Sequence, residues 1–414
     1  MRCKLPVFLA VLTAATPAFG QALSLDEAIR LGELHSPRLA AQRHALAASA
    51  EQIGRAAELP DPKLRLGIEN LPVTGDDRLR YDRDFMTMRS IGLMQEFPNA
   101  AKRAARNARA ESLRDLESAN LRVQVSALRR EIATAWLEVH YAERVRDALE
   151  QQAGQFRLQT DAVAAGIARG RQNAAESFVL RQALEQANDR VIEQERRLER
   201  ARLALGVWIG DAARRALGPP PDTTHIAPSR EQLAERLARH PQLRALERRE
   251  AVARAEADVA RSARKADWSL EVGYQHRLPA FENMITVMAT FDLPWQTGRR
   301  QDRDIASRLA EVEQARAMRE DERRVREAEL RGWLADFDSA ARRIERLEGI
   351  QIPLARERAS AAAAAYRGAR GELAPVLEAG RAVTESEIDL TQALAERGRA
   401  WANLSYLYAE ESEQ

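Results

Sequence analysis

Nine side chains carry the chemistry this sequence suggests: Glu69, Glu96, Glu271 and Asp292, with Met86, Met88, Met94, Met284 and Met288. They fall in four short runs where apolar and polar residues alternate, and in each run they keep to the polar parity. Carboxylates repeated around an opening attract cations. Thioether sulfur is soft and suits Cu(I), whereas carboxylates suit harder ions. The plainer role for the methionines is to fill space on that face. Chemistry of other kinds has no foothold. There is no Gly-rich phosphate loop, GxSxG elbow, HExxH or CxxC, and the six histidines are scattered. No cofactor and no built metal site is expected.

The runs themselves define strands. KLRLGIEN sets Leu64, Leu66 and Ile68 against Arg65, Gly67 and Glu69. The stretch from Phe85 to Phe97 sets Ile91, Leu93 and Phe97 against the three methionines, Ser90, Gly92 and Glu96. WSLEVGYQ and MITVMATFDLP repeat the pattern, with Leu270, Val272, Val287, Phe291 and Leu293 on the apolar side. Each strand is near the ~9–11 residues that cross a bilayer at a tilt. Four such strands cannot close a barrel, which takes ~8 at the small end, and open edges do not survive in lipid. The strands are therefore expected to be pooled among subunits.

The chain is duplicated. HSPRLAAQ at His35 and HPQLRALE at His240 align on Pro37 and Pro241. The match continues without a gap through Leu39 and Leu243, Ala56 and Ala260, Leu66 and Leu270, and Ile68 and Val272. His35 and His240, at equivalent helix openings of the two repeats, are assigned a turn or capping role rather than a metal-ligand one. The second strands also end alike, in EFPNAAKR and DLPWQTGRR.

Between the strand pairs lie long helices. From Asn99 to Gly218 there is no proline, and one helix from Ala100 to Ala165 would reach ~100 Å. Such a helix must pack along its length in a coiled coil or bundle. Reversals are expected at Gly166 to Gln172 and Gly368 to Glu372, with a break near Pro353. Glycine permits the left-handed backbone a tight reversal can use. SLDEAI adds a capping box, Ser24 with Glu27.

Basic and acidic residues nearly balance, 64 against 62, with no basic stripe; no nucleic-acid partner is expected. MRCKLPVFLAVLTAATPAFGQA has a basic start, an apolar run and small residues before Gln21, the pattern of a secretory signal. Its removal would take away Cys3, the one cysteine. The expected organisation is a signal at 1–20, a first repeat at 21–218, a linker at 219–228 and a second repeat at 229–414.

The order of elements, the duplication, the signal and the Gly-containing turns resemble the TolC family of outer-membrane efflux channels over essentially the whole mature chain. IQIPLARERASAAAAAYRGARGELAPVLEAGRA, Ile350 to Ala382, is similar to the heavy-metal branch, the CzcC-like and CusC-like proteins. The resemblance implies an α+β membrane protein: a homotrimer with a twelve-stranded composite barrel in outer-membrane lipid above a helical periplasmic tunnel. It implies docking to a periplasmic adaptor (a membrane fusion protein) and an inner-membrane RND-type pump, with no catalysis. The adaptor-docking tip would comprise Gly166, Arg169, Gly170, Gly368, Arg370 and Gly371. TolC has two acidic residues on the last tunnel turn; Glu378 matches one, the pore constriction candidate, and Ala374 or Pro375 stands at the other. The four acids and five methionines named first would line the barrel lumen. Drug efflux or type I protein secretion is the alternative to metal-cation export, and a periplasmic coiled-coil scaffold is a further one.

Overall fold

A computed structural model describes residues 22–168, 173–226, 229, 232–233, 235, 237–368 and 370–407. The signal segment 1–20 lies outside them. Two short helices, α1 (Leu25–His35) and α2 (Pro37–Ala57), precede strands β1 (Lys63–Glu69) and β2 (Met88–Phe97). Helix α3 (Ala100–Ala168) and helix α4 (Ala174–Ile209) follow. The second half gives α5 (Pro241–Ser262), β3 (Trp268–His276), β4 (Met284–Phe291), α6 (Gln301–Arg346), α7 (Ile352–Arg367) and α8 (Leu373–Ser405). Helix, strand, strand, long helix and return helix thus occur twice in order, as the duplication requires.

The chain divides into two compact units. One gathers Ser36–Leu128, Ala227–Trp333 and Leu404–Gln414, and contains the sheet. The strands pair antiparallel in the order β1-β2-β3-β4, leaving β1 and β4 as edges. The register sets Leu64 opposite Leu93, Leu93 opposite Val272 and Val272 opposite Val287, so one apolar row crosses all four strands. Packing does not cover this face: Leu66 is 72% exposed, Ile285 74% and Val287 66%. In the same unit α5 and α6 meet around Glu250, whose side chain is 2% exposed and pairs with Arg319 at 3.0 Å, with Arg316 at 3.6 Å and with Arg254.

The other unit gathers Met1–His35, Arg129–Ile226 and Leu334–Asn403. Its core includes Leu23, Ile132, Trp136, Leu180 and Leu205, all fully buried. The N-terminal segment is tied in: Leu23 N donates to Ala216 O at 2.8 Å, and Leu23 O accepts from Gly218 N at 3.0 Å and Trp136 Nε1 at 3.1 Å. Ser24 Oγ accepts from Glu27 N at 3.2 Å, as a capping box predicts, but the Glu27 carboxylate turns to Arg215 at 2.8 Å instead of reaching back. The segment expected as a linker starts beside these bonds, and its Thr223 is buried.

The two helix openings are capped by different residue types. Ser36, not His35, caps α2, accepting from Leu39 N at 3.2 Å. His240 caps α5 through Nδ1, which accepts from Gln242 N at 3.1 Å. Each cap immediately precedes its proline, where φ near −65° starts a helix without a lost N–H. His35 ends α1, its ring Nδ1 3.0 Å from Leu31 O.

Candidate functional site

The polar face of the sheet is built by the same register. Glu69 lies opposite Met88, Met94 opposite Glu271 and Glu271 opposite Met288, with Met284 opposite Gln275. Seven of the nine acidic and methionine residues, Glu69, Met88, Met94, Glu96, Glu271, Met284 and Met288, sit in strands on one face. Met86 precedes β2, its N–H donating to Asp84 Oδ2 at 3.1 Å, and Asp292 follows β4, its N–H donating to Asp267 O at 2.9 Å.

Two of the carboxylates carry partners. Lys63 pairs with Glu96, and Arg65 Nη1 reaches Glu271 Oε2 at 2.7 Å. The second pair spans from β1 to β3 over β2. It can do so because Gly92 lies opposite both Arg65 and Gly273 and leaves a gap there. A Cβ on Gly92 would stand 3.2 Å from Glu271 Oε1, tighter than an ordinary contact. Sequence parity had already placed Arg65 with the acids; the diagonal reach depends on register, which parity alone does not give.

At one end of the sheet, Asn99 joins β2 to α3. Its N–H and Nδ2 both donate to Asp267 Oδ1 at 2.8 Å, while Nδ2 also reaches Ser262 O at 3.3 Å and Lys265 O at 3.2 Å. Asn99 Oδ1 accepts from Lys102 N at 2.8 Å, satisfying one of the free N–H groups that open α3. Burial pushes the Asp267 carboxyl up, but hydrogen bonds from Lys102 and Asn99 and the Lys102 charge outweigh it and hold the group below its ordinary value. Phe97 stacks on Trp268 beside this knot at 4.3 Å between centroids.

The helix reversals come together at one apolar cluster. Phe156 and Val163 of α3, Leu180 of α4 and Leu373 and Leu377 of α8 are buried in it, with Tyr366 of α7 packed alongside. The Tyr366 hydroxyl donates to Glu176 Oε2 at 2.8 Å. Gly166 lies inside α3, not in the turn, because α3 continues to Ala168; a lone glycine is tolerated within a well-packed helix. Arg169 and Gly170 lie outside the described residues. Gly368 caps α7 at φ −80°, so the left-handed backbone expected of it is not used. Arg370 N donates to Ala365 O at 3.0 Å. At Gly371 the need is room: a Cβ there would sit 3.2 Å from Ala365 Cβ. Glu378, one residue past Leu377, is exposed and pairs with Arg358 Nη2 at 2.7 Å, a partner sequence reasoning missed.

A cleft of about 490 Å³ opens between α3, α4 and α8, lined by Tyr141, Gln194, Arg197, Thr391, Glu396 and Arg399 among others. Burial pushes the Tyr141 phenol up against a hydrogen bond to Thr223. Among the described residues no three His, Cys, Asp or Glu are grouped to hold a metal ion, and no helix is long and apolar enough to cross a membrane.

No protein-family model matches the chain, and neither does any curated protein. Solved structures do. A membrane protein from Pseudomonas aeruginosa is similar at 19% identity and TM-score 0.79, covering 92% of this chain and 89% of that one. The outer membrane protein VceC from Vibrio cholerae gives 16% identity and TM-score 0.75 over 94% and 97% of the two chains. CusC, whose structures concern folding and transmembrane channel formation, gives 15% and 0.72 over 94% and 93%. The chain therefore has the fold of these membrane proteins, and its own fold is two repeats of paired strands and long helices, with four strands in one antiparallel sheet.

Proposed function

We propose that this protein is the outer-membrane channel of a tripartite efflux system, a passive conduit from the periplasm to the exterior. The observation that carries the reading is the sheet: four strands, two free edges, and an apolar face left exposed across all of them. In lipid those edges need partners. Three copies would supply twelve strands, each β4 meeting a neighbour's β1, with the apolar rows outward and the polar face around the lumen. The fold shared with outer-membrane channels supports the same placement. Detergent-extracted protein from the outer-membrane fraction should scatter light as a trimer. A stable folded monomer, or a protein soluble without detergent, would overturn the channel in favour of a periplasmic scaffold.

Within this reading the helices form the periplasmic conduit, and an adaptor meets it where the helix reversals cluster, around Gly368, Arg370 and Gly371. An RND-type pump supplies the energy. Metal cations are the cargo we favour, on the likeness of Ile350 to Ala382 to the heavy-metal branch and on the acidic and thioether residues of the polar face. Drug efflux or type I protein secretion is the alternative. Lys63 and Arg65 offset two of the lumen acids, leaving Glu69 and Asp292 as the exposed negative charges in each copy. A deletion strain should become sensitive to metal salts; sensitivity confined to drugs and dyes would move the cargo to the alternative.

A further inference from the structure

The duplication sets up an internal comparison that isolates one residue. EFPNAAKR and DLPWQTGRR end equivalent strands, and the match on Pro98 and Pro294 places Asn99 against Trp295. Asn99 is turned into the scaffold by the hydrogen bonds already described. Trp295 is 86% exposed, more than any other large apolar side chain among those described. Its N–H closes a local turn on Leu293 O at 2.9 Å, and no described residue covers its ring. It continues the apolar row of β4, since Phe291 is 58% exposed and Leu293 66%. Basic residues follow it closely in the chain. Arg299 and Arg300 follow within the same turn, their N–H groups donating to Gln296 O at 3.1 and 3.2 Å. The α5–β3 connection is fastened to this turn by Asp292 N to Asp267 O and by Arg264 Nε to Asp302 Oδ1 at 2.9 Å, which brings Lys265 to the same end of the sheet. Among the described residues Lys265, Arg299 and Arg300 have no ion-pair partner, whereas Arg264 does.

We infer that Trp295, Arg299 and Arg300 form an interfacial anchor that takes the headgroup of an anionic phospholipid in the periplasmic leaflet. This rests on the outer-membrane reading above. An indole has an apolar body and one N–H, so it settles where acyl chains give way to headgroups. Guanidinium groups match phosphate geometry with paired N–H donors, and unpaired ones beside an exposed apolar row complement a negatively charged headgroup. A buried contact with a second copy would suit Trp295 alone, but would leave two adjacent arginines with no counter-charge.

Full-length protein in detergent, titrated with brominated phosphatidylglycerol or brominated phosphatidylcholine of the same chain length, tests this through tryptophan quenching. Phosphatidylglycerol should quench at lower concentration, and that advantage should vanish in Trp295→Phe. In the double variant Arg299→Gln, Arg300→Gln it should weaken by roughly 5- to 30-fold, from about fivefold per basic residue near a charged surface. Equal quenching by the two lipids would overturn the anchor, as would a phosphatidylglycerol advantage that persists in Trp295→Phe and so reports on another tryptophan. Light scattering of Trp295→Phe closes the remaining route: a retained trimer supports the anchor, and dissociation assigns Trp295 to a contact between copies. A wild-type trimer in the outer membrane without lipid preference leaves the channel standing while the anchor fails.

Discussion

Gly32 offers a test in which the sign of a mutation should reverse with its background. It lies within α1, where alanine would normally stabilise by about 1 kcal/mol. Here a Cβ would press into Ile132 Cδ1, well inside contact distance, while lying 3.4 Å from Ile132 Cγ1 and 3.8 Å from Ile209 Cγ2. Ile132 is fully buried, so turning its Cδ1 aside about χ2 would drive that methyl into close-packed neighbours. Overpacking of this kind costs about 1–3 kcal/mol. Gly32→Ala should therefore destabilise by about 0–2 kcal/mol net. Ile132→Val removes only Cδ1, at a cost of about 0.5–1.5 kcal/mol. With that methyl gone, Gly32→Ala should stabilise by about 1 kcal/mol as its helix preference emerges, a coupling of about 1–3 kcal/mol between neighbours. Thermal unfolding of the four proteins in detergent, followed by tryptophan fluorescence, reads this as roughly 2–4 °C per kcal/mol for a unit of 150–250 residues. Equal shifts from Gly32→Ala in both backgrounds would refute the packing argument.

The other expectations probe the sheet, its junction and the helices. Val287→Arg should block trimer assembly at roughly 2–4 kcal/mol per copy, while Thr286→Arg, on the polar face, assembles; equal yields of trimer would reject the assigned faces. Asp267, held below its ordinary value, contributes junction stability that is full above the usual carboxylate range and is lost as pH falls through its lowered folded value. Hydrogen exchange around Asn99 should rise in acid over that window, and Asp267→Asn should remove the dependence. Glu250→Gln should lower stability to denaturant by about 1.5–3 kcal/mol, the worth of a hydrogen bond to a charged group, here from Arg254 to the buried carboxylate; an unchanged midpoint would mean its arginine partners are ornamental. Gly371→Pro should abolish efflux while leaving the trimer inserted, and undiminished resistance would count against adaptor docking there.

What could be read from the sequence divides along physical lines. A strand's faces follow from a period of two, so one wrong residue would have inverted a whole run; Leu64 to Phe291 fell on the expected side for that reason. Strand ends carry no such redundancy, and Met86, Asp292 and Leu293 proved to lie beyond them. Ion pairs between strands need register as well as parity, so Arg65 was placed on the right face without its bond to Glu271 being visible. The helix reversals were read from glycine, and at the glycines described there the left-handed backbone is not what is used. Gly166 is an ordinary helical residue, Gly368 has negative φ, and Gly371 is small because Ala365 is close. Glycine in a sequence signals either freedom of φ or lack of space, and only coordinates separate the two.

The break near Pro353 shows how one residue can reset a long helix without ending its packing. A proline in a helix has no N–H to give and its ring crowds the carbonyl four residues back, here that of Gly349. The backbone answers with a π turn over Leu347–Gln351, joining α6 to α7. Such a turn widens the spacing from four residues to five. The buried positions follow suit: Ile344, Leu347 and then Ile352 face inward, where uninterrupted α-helical spacing from Leu347 would have presented Gln351. Ile344 and Leu347 pack with Ala393 of α8, so the wider step carries an apolar stripe past the proline onto α7. The first repeat has no proline from Asn99 to Gly218, and α3 passes through as one helix. The two repeats share one plan, while the proline of the second accompanies a change of phase that α3 does not have.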